Sequence, residues 1–406
     1  MHRNGSSRHH DVVLYGASGF VGRQTVAYFM QHAPALRWAL AGRSRAKLEQ
    51  VRHACGADGA GVIVADAADA AALDQLAAHT RVVLSTAGPF ALYGSELVAA
   101  CARHGTHYVD ITGETPWVRR MIDRHHEEAR HRGARIVPGC GFDSVPSDLG
   151  AWFVAQALWQ GHGERCRSVK ACYSVRGGLN GGTLASALNL IEAGDRAAMQ
   201  DPFLLNPFGT APTHTAPHAD PIAPHRDADF GAWVGPFFMG PVNTRVVRRS
   251  AALTGREPYA ADFAYQEYLR FGRGASAAVA AATVSTMSMA ATGLLGSSLV
   301  RRAAAKLAPA PGEGPSERAM DKGRFRCDLV GVGDGGSVVR ARISTRGDPG
   351  NRATTQFVCE SALALVLDVA ALPGGARYGG VLTPATALGD VLIERLRHAG
   401  TTIELL

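Results

Sequence analysis

Residues 12–22 read Val12-Val13-Leu14-Tyr15-Gly16-Ala17-Ser18-Gly19-Phe20-Val21-Gly22, a short apolar run followed at once by glycines spaced GxxGxxG. The first glycine permits a tight strand-to-helix turn, the second lets main chain approach a pyrophosphate, and the third lets the helix lie close on the strand. The start of the helix then offers amide donors and a favourable dipole to phosphate, with no side chain required. In a chain with 47 glycines the same spacing also arises as a plain structural turn. Context favours the nucleotide: an apolar stripe (Val21, Val26, Phe29, Met30) suited to a helix follows, and a second strand, Trp38-Ala39-Leu40-Ala41-Gly42, comes at βαβ spacing. Gly16, Ala17, Ser18, Gly19, Phe20, Val21 and Gly22 are therefore the expected phosphate-binding residues.

The end of the second strand indicates which dinucleotide. An NAD enzyme usually places an acid there, against the ribose 2′-hydroxyl. Here the chain reads Ala41-Gly42-Arg43-Ser44. Arg43 can pair with a 2′-phosphate, Ser44 can hydrogen-bond it, and Lys47 adds charge. NADP(H) is the expected cofactor; a solvated loop cation is the plain alternative for Arg43.

The alternation continues with strands at 62–66, 82–88, 108–111 and 135–138 and helices near 70–79, 94–104 and 116–132. This pattern predicts an α/β fold, a Rossmann doubly wound parallel sheet covered on both faces. Asp66 ends the third strand, where a short acid can meet the adenine amino group or simply cap the strand. Beyond residue 160 the chain changes character. A strand over 166–175 and a helix over 183–193 precede a Pro- and His-rich stretch, 201–229. A hairpin over 324–333 and 337–346 turns through Gly335-Gly336, and a helix follows near 354–370. The expected division is 1–160 for the NADP-binding domain, 161–380 for a second α+β domain that carries substrate or subunit contacts, and 381–406 for a segment returning to the first.

Composition bounds the remaining choices. A chain of 406 residues, 46% hydrophobic, can bury two cores. A net charge of +7 suits phosphorylated, acyl-carrier or membrane-surface partners, and its scattered basic residues carry no nucleic-acid motif. Seven dispersed cysteines without a CxxC pair suggest reduced thiols. The first ten residues show no export signal, so a cytoplasmic location is expected, with attachment to the inner membrane as a variant. Residues 274–300 are uncharged and long enough to span a bilayer, but Ala, Ser, Thr and Gly dominate them, which favours a buried or membrane-surface helix.

Ser85-Thr86-Ala87-Gly88-Pro89-Phe90 follows the fourth strand, where such a sheet meets the nicotinamide half of a cofactor. Ala87, Gly88 and Pro89 let it pass close to backbone. Three side chains are candidates for catalysis: Tyr93 as a phenolic proton donor, and Asp143 and Glu114 at strand ends as orienting or proton-relay acids. Each also has a structural reading, Tyr93 packing beneath the ring and Asp143 or Ser144 forming a turn, while Ser147 suits the N-cap of the next helix. No metal site is expected. His126-Glu127-Glu128-Ala129-Arg130 lacks the second histidine of HExxH, and His214, His218 and His225 have no regular ligand spacing. Neither GxSxG nor a GKS/GKT loop occurs.

Taken together, Gly16 to Gly22, Ala41-Gly42-Arg43-Ser44, Thr86-Ala87-Gly88-Pro89-Phe90, Tyr108-Val109-Asp110 with Gly113-Glu114, and Gly141-Phe142-Asp143-Ser144-Val145-Pro146-Ser147-Asp148 resemble the saccharopine dehydrogenase-like oxidoreductases, within them the trans-acting enoyl reductase branch. Gly181-Gly182-Thr183, Val246-Val247-Arg248-Arg249-Ser250 and Thr383-Pro384-Ala385-Thr386 are similar to that branch too. The resemblance implies an NADP-dependent oxidoreductase that reduces an enoyl or acyl intermediate of lipid or polyketide assembly, feeding glycolipid formation. Its implied partners are a small-molecule or carrier-bound acyl substrate, a polyketide synthase or membrane surface, and a second copy in a homodimer. A noncatalytic NADP-binding protein docked on a membrane or synthase, and a saccharopine-type amino-acid dehydrogenase, are the alternatives. The Gly141 to Pro146 pattern differs from that of saccharopine reductases.

Overall fold

A computed structural model describes residues 8–177, 196–210, 218–255, 257–294 and 313–406. The helix expected over 183–193, His214 and the end of the Ala-rich stretch lie outside these. In the first sheet the strands are β1 (His10–Tyr15), β2 (Trp38–Gly42), β3 (Gly61–Val64), β4 (Thr80–Ser85), β5 (His107–Asp110), β6 (Arg135–Val137) and β13 (Gly380–Val381). They lie in the order β13-β6-β5-β4-β1-β2-β3, with every pairing parallel. Val12, Val13 and Leu14 are wholly buried, as a strand covered on both faces requires. The covering helices include α1 (Phe20–His32), α2 (Arg45–Ala54), α3 (Ala70–Ala78), the single turn α4 (Phe90–Tyr93), α5 (Ser95–His104) and α6 (Thr115–Arg132).

After α7 (Val145–His162) the chain builds a second, mixed sheet. Its strands are β7 (Cys166–Arg176), β8 (His225–Asp227), β9 (Ala232–Pro236), β10 (Tyr259–Gly272), β11 (Arg324–Gly333), β12 (Val338–Arg346) and β14 (Thr402–Leu405), ordered β14-β12-β11-β7-β10-β9-β8. The helices of this half are α8 (Arg196–Met199), α9 (Gly240–Thr254), α10 (Ala275–Leu294), α11 (Glu317–Asp321), α12 (Thr354–Leu367) and α13 (Pro384–His398). α7 lies on β7, β11 and β12, while α12 packs on α1, β4 and β5, so one apolar core runs from Val12 and Leu14 through Val154 and Leu329 to Ile343.

The C-terminal segment differs from expectation. The return to the first sheet is made by Gly380–Val381, in register with Arg135 and Ile136, whereas Thr402–Leu405 pairs with β12 of the second sheet. The reason is visible in the strand: Ile403 is buried while Thr402 and Glu404 are exposed, a one-sided pattern that suits the edge of a mixed sheet better than a sheet buried on both faces. The third strand also stops at Val64, so Asp66 lies two residues beyond it.

Buried cations and acids tie the halves together. Arg135 donates to the carbonyls of Ala387, Pro373 and Gly375, and Arg249 to those of Leu205 and Val381. Asp148, near the start of α7, accepts from the Ser250 hydroxyl of α9 and from the Ala385 amide at the start of α13. Burial pushes its carboxyl up to about 7. The Ala-rich helix α10 buries Ala277, Ala281 and Ser285 along one side and exposes Val279 and Met287. No described helix is long and apolar enough to cross a membrane. Asp148→Ala leaves a buried amide and hydroxyl without their acceptor, and is expected to cost about 2–4 kcal/mol in urea unfolding. A loss under about 0.5 kcal/mol would show that the three helices do not depend on it.

Candidate active site

The glycine loop joins β1 to α1 as the sequence predicts. Gly16 takes a left-handed φ of +84°, and a Cβ there would stand 2.9 Å from the Ala87 amide nitrogen. Its carbonyl accepts from the Gly19 amide at 2.9 Å, and a Cβ on Gly22 would lie 2.2 Å from that same oxygen. Side chains are thus excluded at Gly16 and Gly22 by backbone. Among the described residues, the amides of Ser18, Phe20, Val21 and Gly22 have no acceptor, and no side chain caps the helix. Ala17 is buried beneath the loop. Unpaired amides at a helix start above a cradle that a Cβ would fill fit a pyrophosphate.

At the neighbouring strand ends lie the adenine-side candidates. Arg43 and Lys47 are exposed, and neither side chain meets a carboxylate among the described residues. Ser44 caps α2, its hydroxyl accepting from the Lys47 amide at 3.5 Å, so it is partly occupied. Asp66 is exposed and accepts from the Ala68 amide at 2.9 Å, a turn contact. The Tyr15 hydroxyl, bonded to the Ala65 carbonyl, is pushed up to about 12 by burial, with the charges of Asp66 and Arg43 acting on it in opposite senses. Arg43 and Asp66 therefore flank one spot. The end of β2 carries cations where an acid would repel a 2′-phosphate, and this fits NADP.

On the other side of the glycine loop, Thr86 donates its amide to the Tyr15 carbonyl, bringing Ala87 against Gly16. Glu114, 2% exposed, accepts from the amides of Phe90 at 2.8 Å and Ala91 at 2.9 Å. Both of its oxygens are committed to the start of α4. Through these two bonds it clamps the turn after Pro89. Tyr93, at the end of that turn, is 42% exposed, beside the exposed Leu92.

Asp143 is different. It is partly buried and makes no hydrogen bond among the described residues, and its Oδ2 lies beside Gly113, whose Cβ position also meets Met239 Cε and Val242. Burial alone pushes its carboxyl up to about 6. Loop 112–114 therefore stands between Asp143 on one side and the Pro89–Ala91 turn on the other.

Sequence reasoning passed over the groups that hold these loops. Asp110 accepts from the amides of Thr112 and Gly139 and from the Tyr108 hydroxyl, joining the ends of β5 and β6; burial drives it up to about 7. Ser147, expected to cap α7, instead donates to Glu267 at 2.7 Å and touches Tyr173 at 2.6 Å. Glu267 also accepts from Tyr265 and Asn243, and burial pushes it up to about 7. Nothing local in the sequence marks Glu267, because its partners come from separate stretches of chain.

Asp143 carries a pH signature. With its native carboxyl raised to about 6, the native state keeps a proton that the unfolded chain has already released, so stability falls as pH rises from the ordinary carboxylate range through about 6. Asp143→Asn should be more stable than wild type at about pH 8, with the gain gone by about pH 4. Urea titrations showing the same difference at both pH values would contradict this.

Comparison with known proteins agrees with this geometry. The saccharopine dehydrogenase NADP-binding domain matches residues 12–137. A Mycobacterium tuberculosis relative is 39% identical over 98% of this chain and 97% of its own. Trans-acting enoyl reductases of Mycobacterium ulcerans and Mycobacterium tuberculosis strain H37Rv are each 37% identical over 98% of both chains. Saccharopine dehydrogenase (L-Glu forming) of Saccharomyces cerevisiae superposes with a TM-score of 0.53 over 98% of this chain and all of that one, at 13% identity, a likeness of fold. The chain accordingly belongs to the trans-acting enoyl reductase family, on a saccharopine dehydrogenase-like NADP-binding fold.

Proposed function

We propose that this protein is an NADPH-dependent trans-acting enoyl reductase, which saturates the activated double bond of an acyl intermediate assembled on a separate synthase. The observation that carries the reading is identity of 37% over 98% of the chain to trans-acting enoyl reductases, together with a glycine loop whose amides are unpaired and whose neighbouring cations are free. A saccharopine-type reaction has only the shared fold in its favour.

In this reading the amides of Ser18 and Phe20 to Gly22 hold the pyrophosphate. Arg43 and Lys47 take the 2′-phosphate, Ser44 adds its remaining hydroxyl proton, and Asp66 faces the adenine. The bound nicotinamide supplies hydride. Ala87, Gly88 and Pro89 form the wall against which it rests, fixed from behind by Glu114, a positioning residue. Orientation against that wall lowers the barrier by excluding unproductive poses. Asp143 is the proton donor: a carboxyl raised to about 6 retains a protonated fraction at neutral pH and sits unencumbered beside loop 112–114. Tyr93, solvent-facing on α4, is the second donor candidate. The exposed side chains of Leu92 and Phe238 suit an acyl chain arriving from solvent.

Two variants test these assignments. Arg43→Asp should weaken NADPH about 10- to 100-fold while changing NADH less than about 3-fold; equal losses would remove the 2′-phosphate contact. Asp143→Asn should lower kcat for an enoyl thioester at least about 100-fold with NADPH affinity intact, and Tyr93→Phe much less. The reverse order would transfer the donor role to the phenol.

A further inference from the structure

Three arginines stand abreast on the second sheet. Arg324 of β11 is in register with Arg176 of β7 on one side and Arg346 of β12 on the other. None of the three has an ion-pair or hydrogen-bond partner for its side chain among the described residues. Like charges directly opposite one another weaken a sheet, so this row opposes the pairing it sits in. The next row brings no relief, since Arg326 lies between Ser174 and Ser344. Two acids lie near the row and both are taken: Asp328 is shared by Arg326 at 3.1 Å, Arg342 at 2.8 Å and Arg270 at 3.7 Å, and the buried Asp348, packed beside Gly177 and Gly323, accepts from the Asn351 side chain and the Arg352 amide.

This row opens into a cleft of 1170 Å³ between the strand ends, the flank of α1 and the start of α12. Arg176, Arg324, Arg326, Arg346, Arg352 and His32 line it, with no Asp or Glu among its described lining residues. None of the glycine-loop residues belongs to it, and the large exposed apolar side chains of the described residues lie elsewhere.

We propose that the cleft is the docking site for an acidic protein surface. Resting on the function proposed above, we identify that surface as the carrier domain that brings the enoyl chain from the synthase. Uncompensated cations raise the encounter rate with an acidic partner and fix its register, and they repel basic proteins. A concave cleft edged by a row of three arginines fits a protruding acidic element of a protein; a lipid surface calls for a flat face with inserted hydrophobic side chains. In the docked complex the partner's acids offset the repulsion within the row.

The test compares an acidic acyl carrier protein loaded with a crotonyl group against crotonyl-pantetheine, which has no protein to dock. Reversing all three charges (Arg176→Glu, Arg324→Glu, Arg346→Glu) should raise KM for the carrier-bound substrate at least about 10-fold at low salt, and leave crotonyl-pantetheine turnover and NADPH affinity within about 2-fold. The milder Arg324→Thr should raise Tm while weakening carrier capture, a pairing that misfolding cannot mimic. Unchanged carrier KM in both variants overturns the proposal. Loss of binding to phosphatidylglycerol vesicles with carrier KM unchanged overturns it in favour of a membrane. If wild type turns over neither substrate, the proposed function fails; direct titration of the loaded carrier against wild type and the triple variant still decides the docking site.

Discussion

The carbonyl oxygen of Gly16 is the point on which the nucleotide domain turns. It accepts the Gly19 amide, and it stands so near residue 22 that only glycine fits there. That contact sets the angle at which α1 leaves β1. Among the described residues the amides of Phe20, Val21 and Gly22 are left without acceptors, and Ala87 lies against the loop. Main chain supplies the binding groups, so the neighbouring side chains are free to set which nucleotide is taken and what chemistry follows.

Buried charge holds the frame around that arrangement. Asp110, Asp148 and Glu267 are all raised by burial, and Asp148 and Glu267 gather donors from elements distant in sequence. Asp110 fixes loops after β5 and β6, Glu267 joins α7 to β10 and α9, and Asp148 joins α7 to α9 and α13. Buried arginines do the reverse, donating to the carbonyls of Met199, Pro202, Leu205, Pro373 and Ala387. Such contacts satisfy polar backbone that regular elements cannot. Against this frame Asp143 stands out because it has no such partner among the described residues.

Much of the fold was legible because its signals are local. The run Val12 to Gly22, the cation at Arg43 and the paired stretches that became β11 and β12 each follow from periodicity and turn chemistry within a few residues. The sites of error were those decided by distant contacts. Thr402–Leu405 reads as a strand, but its sheet is chosen by β12. Ser147 reads as a cap, but Glu267, far along the chain, claims it. Glu114 reads as a free acid at a strand end, but the amides of Phe90 and Ala91 occupy both its oxygens. The cationic row of Arg176, Arg324 and Arg346 was invisible for the same reason, since register alone brings the three together.

Hydride delivery to an enoyl thioester is the claim to which the loop, the free cations and Asp143 all lead. Its most direct test is mass spectrometry of the product formed from NADPH dideuterated at nicotinamide C4 and a crotonyl thioester. The account predicts a saturated acyl product carrying one deuterium at the β-carbon. A saturated product without that label, or no saturated product from an enzyme that binds NADPH, would contradict it.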